Sequence, residues 1–163
     1  MMMRSLMFTL VSSFLFVGAA QADVGQDWID AMRKNKAKVA AKVSVEANFK
    51  LGAVGKSTVV ATKVDRLFKK IFRGLKKTFK EGDTAVVECT ALGRELGYFA
   101  MEWKERDETV AQWIRDIPEQ FCTGEGLHPP KFHLVKVVGG ELPHALIVIV
   151  QGEDPKVIGA YHF

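Results

Sequence analysis

After residue 22 the sequence lacks any apolar run long enough to cross a bilayer. The longest, ALIVIV at 145–150, has the length of a strand. Tyrosine is scarce, with two in the chain, and the lack of aromatic girdles and of alternating segments of about 9–11 residues throughout opposes an outer-membrane barrel. The aromatic ending YHF (161–163) is expected instead to close a sheet, with Phe163 as its last buried residue. Cysteine is limited to Cys89 and Cys122, with no CxxC spacing and both in apolar neighbourhoods of the sequence, which argues against a catalytic thiol. No repeat, linker or low-complexity stretch divides the chain.

Catalytic signatures are missing as well. There is no GxSxG elbow, no HExxH, and no SxxK in a suitable setting. Glu95, Glu102, Glu105 and Asp107 are spaced as a solvated face and not as an acid/base pair. GAVGKST (52–58) ends like a phosphate-binding loop, but only two residues separate its glycines, and Lys50 stands where the first glycine is needed. Too few backbone amides remain to wrap a phosphate chain, so the segment reads as a turn leading into a helix capped by Ser57. All four histidines, His128, His133, His144 and His162, fall in the last 36 residues. Their spacings match no HxH or HxxxH pattern, and His133 shares a strand side with Val135 and Val137, as a packed histidine would. No metal and no cofactor is expected.

What is present begins with residues 1–22. Arg4, the apolar segment 6–19 and the small-residue pattern AQA (20–22) have the organisation of a cleavable signal peptide, leaving a domain over 23–163 that starts near Asp23. An exported chain meets an oxidising compartment, where Cys89 and Cys122 are expected to form a disulfide. The expected location is the periplasm or the extracellular space.

Charge is distributed unevenly. Residues 56–80 hold nine basic residues and one acid, a net of +8; residues 81–163 hold seven basic and fourteen acidic, a net of −7. A dipole of this size points to an anionic partner for the basic segment, or to neutralisation of one half by the other.

Periodicity supplies the elements. Residues 23–41 predict a helix with Trp28, Met32 and Val39 on one face, and VSVEANFKL (43–51) alternates strictly as a half-buried strand. A helix is expected from about Ser57 to Lys80, ending at Gly82. Residues 84–92 are β-rich, and 98–105 suggest the second arm of a hairpin, although Leu92, Leu96, Phe99 and Trp103 also fit a helix through 91–103. Asp107 caps a helix over 107–121, and three strands follow at 131–138, 144–151 and 156–163. The predicted fold is a single α+β domain, an antiparallel sheet with about three helices packed on one face.

KVDRLFKKIFRGLKKTFK (63–80) is the segment of greatest interest. At 100° per residue from Val64, its Leu, Ile and Phe residues fall between about −60° and +80°. Lys63, Arg66, Lys69, Lys70, Arg73, Lys76, Lys77 and Lys80 all fall between about 120° and 260°. Solubility alone would intersperse acids among them. The expectation is a buried apolar face and an exposed basic face in an exported, non-catalytic binding protein. Its partner would be an anionic lipid headgroup, lipopolysaccharide, a cell-wall polyanion or an acidic protein. The alternative is an inhibitor or immunity-type protein that neutralises an enzyme or toxin. An enzyme built from residues that only the fold assembles is a third class. Nucleic acid is not expected, because no binding module is recognisable and the aromatic residues belong to the apolar face.

Overall fold

The computed structural model describes residues 23–124 and 126–163; the expected signal segment lies outside the described residues. The elements in order are α1 (Val24–Arg33), α2 (Ala37–Lys42), β1 (Phe49–Ala53), β2 (Lys56–Val60), α3 (Val64–Phe79), β3 (Asp83–Glu88), α4 (Cys89–Lys104), α5 (Glu108–Cys122), β4 (Lys131–Val137), β5 (His144–Gln151) and β6 (Lys156–His162). The six strands form one sheet in the order β2-β1-β6-β5-β4-β3. The molecule is a single α+β domain, as the succession of helical and alternating periods predicts.

Two features of the predicted architecture are corrected. The sheet is mixed, because β1 lies parallel to β6 while every other neighbouring pair is antiparallel. Among the described residues five helices cover it, on both faces. On one face, α1, α2 and α3 close over Val135, Leu146, Val148 and Ala160. On the other, α4 and α5 close over Phe132, Leu134, Ile147, Ile149 and Tyr161. Strand β5 lies between both layers, so successive residues from Ala145 to Val150 are all buried. Its unbroken apolar run is the pattern of a strand covered on both sides.

Local chemistry explains the other departures. The first helix stops at Arg33, where Asn35 takes a left-handed φ of 54°, and the chain restarts as α2. The alternating stretch 43–51 is interrupted at Asn48 (φ 58°). Only Val43–Val45 touch β6 before the interruption, through Val45 N–H to Val157 O (3.0 Å) and Val157 N–H to Val43 O (2.8 Å). Residues 56–60 are strand, not helix: Ala53 pairs with Lys56, and Val54 and Gly55 both have positive φ, the geometry of a two-residue type I′ hairpin. The phosphate-loop lookalike is therefore a hairpin turn, and Ser57 caps no helix.

Helix α4 replaces the expected hairpin. Its register buries Leu92, Leu96, Phe99, Ala100 and Trp103 together with Val110, Ile114 and Ile117 of α5, so burial on one helical face outweighs the β-rich local sequence. Asp107 accepts hydrogen bonds from Thr109 N (3.0 Å) and Val110 N (3.1 Å), starting α5 as predicted. Cys89 opens α4 and Cys122 closes α5, and the two are joined in a disulfide.

Candidate anion-binding face

Helix α3 is sorted by its sequence into two surfaces, and the fold uses each differently. Phe68 and Phe72 are fully buried against Trp28, with ring centroids 5.4 and 5.1 Å away and planes at 89° and 81°. Phe68 also meets Phe49 edge-on at 5.1 Å. Such edge-to-face pairs contribute beyond area burial. Leu67, Leu75 and Phe79 are buried with them, and Ile71 is partly covered. The apolar stripe is core.

The basic surface stays in solvent. Lys63, Arg66, Lys69, Lys70, Arg73, Lys77 and Lys80 are exposed and Lys76 is half-buried. Among the described residues, none of the eight forms an ion pair, since the four contacts of that kind join Arg106–Glu141, Arg115–Glu108, His133–Asp23 and Lys136–Glu95. Among the described residues, the acidic half of the sequence therefore forms no ion pair with this face. Asp65 sits half-buried in the first turn, where the helix dipole favours an acid.

Tertiary structure adds residues that the helical wheel does not reveal. Arg33 of α1 donates from Nε to Phe79 O (3.1 Å) and from Nη2 to Gly82 O (3.4 Å), supplying a cation at the C-terminal end of α3. Lys38 and Lys42 of α2 join Lys63 around a cleft of about 430 Å³ that also contains Glu46 and Asp65. Their isolated lysines carry no sequence signal for this placement; it follows from α2 packing alongside α3.

A second cleft, of about 450 Å³, lies on the flank of α3 beside the ends of β5 and β6. It brings together Lys70, Ile71, Gly74 and Leu75 with His144, His162 and Trp103. Trp103 donates Nε1–H to Pro143 O (2.8 Å), so the tryptophan contributes its apolar ring. His162 is partly buried, and desolvation pushes its pKa below the ordinary value of 6.5. His133 lies in a separate place, its Nε2 3.2 Å from Asp23 Oδ1. Desolvation is the largest influence on it and lowers its pKa; Asp23 opposes this and Lys131 reinforces it. His128 is on a loop, where its carbonyl accepts from Gln151 Nε2 (3.1 Å). Among the described residues no three His, Cys, Asp or Glu side chains gather as a metal site.

The carboxylates are dispersed likewise: Glu95 pairs with Lys136 Nζ at 2.7 Å, while Asp107 caps α5. Among the described residues no helix is long and apolar enough to cross a membrane.

No protein family matches this chain, and no curated protein matches it. A crystal structure of a protein from Sphaerobacter thermophilus is similar at 10% identity, with 86% of this chain and 92% of that one covered and a TM-score of 0.39.

Proposed function

We propose that this is an exported, non-catalytic binding protein whose basic α3 face holds an anionic target, with lipid headgroups as the favoured class. The observation that supports it most is the absence of any ion pair to Lys63, Arg66, Lys69, Lys70, Arg73, Lys76, Lys77 or Lys80 among the described residues. Like charges on one helix face repel one another at i,i+3 and i,i+4, and an anionic partner offsets that cost. Because Phe68 and Phe72 are buried, the helix meets its target from outside by electrostatics and does not insert. Attraction of about 1 kcal/mol per Lys or Arg at an anionic membrane surface supports reversible adsorption by several such residues together. Screening by salt follows from the same exposure.

Vesicle co-sedimentation tests this. The protein is expected to pellet with vesicles containing phosphatidylglycerol, not with phosphatidylcholine alone, and to be released by salt. Combining Lys69→Glu, Arg73→Glu, Lys76→Glu and Lys77→Glu is expected to abolish pelleting while the far-UV spectrum and melting cooperativity persist. Unchanged pelleting by the reversed variant would remove the basic face from the mechanism.

A further inference from the structure

Gly74 stands inside α3, where glycine costs about 1 kcal/mol relative to alanine. The fold gives no steric reason for it: a Cβ built there meets nothing within 4 Å. Gly74 opens instead onto the cleft of about 450 Å³ beside β5 and β6. Leu75, Phe79, Trp103 and Phe163 give that cleft apolar walls. Lys70 lines its edge, four residues before Gly74, and Lys77 follows three residues after it. On a helix surface these positions are the immediate neighbours of Gly74. Both cations are exposed and without an ion pair among the described residues. Neither the His144 nor the His162 imidazole engages in a hydrogen bond among the described residues.

The geometry points to a binding site for one single-chain phosphate amphiphile, with its acyl chain in the cleft beside Gly74 and its phosphate between Lys70 and Lys77. This rests on α3 engaging anionic headgroups, and it adds that one lipid chain leaves the surface and enters the protein. An apolar cleft with a few polar groups at one end is the usual build of a small-molecule site. A side chain at residue 74 would fill the space the chain needs. His144 and His162 line the same cleft, so a bound chain passes within reach of their imidazoles.

The probe is dodecyl phosphate below its micelle concentration, titrated by calorimetry, with inorganic phosphate and dodecylphosphocholine as comparisons. Dodecyl phosphate is expected to bind, with the His144 and His162 imidazole resonances shifting, while the other two bind at least about tenfold more weakly. Gly74→Leu is expected to weaken dodecyl phosphate by roughly tenfold or more, equivalent to displacing about two buried methylenes. It should raise thermal stability, so lost binding does not report unfolding. Gly93→Leu, at an equally open glycine on α4, is expected to leave binding unchanged.

Failure of dodecyl phosphate to bind, equal binding of inorganic phosphate, or full binding by Gly74→Leu would each overturn the site. Vesicle pelleting by Gly74→Leu should survive, because the exposed cations remain. If pelleting persists while dodecyl phosphate fails, the cleft falls and the surface contact stands. If wild type does not pellet with anionic vesicles, the surface contact itself falls.

Discussion

Gly52 of β1 and Tyr161 of β6 are register partners in the parallel β1–β6 pair, and a Cβ on Gly52 would collide with the Tyr161 ring at Cδ2. The glycine that made 52–58 look like a phosphate loop is thus required by an aromatic ring. Tyr161 is in turn stacked with Trp113 at 5.8 Å and 5°, and its hydroxyl donates to Gln120 Oε1 at 2.6 Å. Trp113 Nε1 donates to Ser57 Oγ at 2.9 Å, which ties α5 to the β1–β2 hairpin.

Gly52→Ala is therefore expected to destabilise the domain by about 1–3 kcal/mol through overpacking. Urea denaturation followed by tryptophan fluorescence measures it. A neutral substitution would show that Tyr161 moves aside freely.

The Cys89–Cys122 disulfide joins the start of α4 to the end of α5 across a sequence separation of 33. Closing a loop of that length stabilises by about 4 kcal/mol in the chain-entropy model. Cys89→Ser with Cys122→Ser should lower stability by a comparable amount, with binding to anionic vesicles retained if the fold survives. The midpoint of urea denaturation, compared with that of the oxidised wild type, reads the loss.

Phe72→Ala removes a ring that packs on Trp28 and Phe68 and should cost about 3–5 kcal/mol. Reversing exposed lysines on the same helix should shift stability by no more than about 0.5 kcal/mol per residue. Comparing the two melting shifts separates the structural face of α3 from its proposed binding face. Similar losses from both would mean that the basic side chains are also structural.

Stability should fall as pH drops below 6.5. His133 and His162 both have pKa values lowered from 6.5, each chiefly by desolvation. Protonation then favours the unfolded chain: the stability is fully present above the unfolded pKa and declines as pH falls from there toward the lowered folded values. Denaturation midpoints between pH 7.5 and 5 should show the decline, and a variant carrying His133→Asn and His162→Asn should flatten it. An unchanged slope in that variant would assign the effect to other groups.

Much of this architecture can be traced to periodicity in the sequence. The two sides of α3, the capped helix after Asp107, the last three strands and the cysteine pairing all depend on local spacing or composition. Other elements escaped for identifiable reasons. Residues 56–60 follow a helix-like cap signal, yet positive φ at Val54 and Gly55 turns them back onto β1. Residues 98–103 suit both periods, and only the α5 partner surface decides for helix. The six-residue apolar run of β5 already departs from alternation, a sign of two covering layers that the predicted one-faced sheet did not use.

By itself, the sequence determined which side of α3 is apolar and which is basic, because helical spacing alone assigns each residue its angle. It also determined the available thiols and the charge imbalance along the chain. Tertiary structure decided the rest. It buried Phe68 and Phe72 under Trp28, placed Arg33 at the end of α3, and set the cleft beside Gly74 against His144 and His162. Those contacts join residues far apart in the chain, and their energies arise only when sheet and helices pack together.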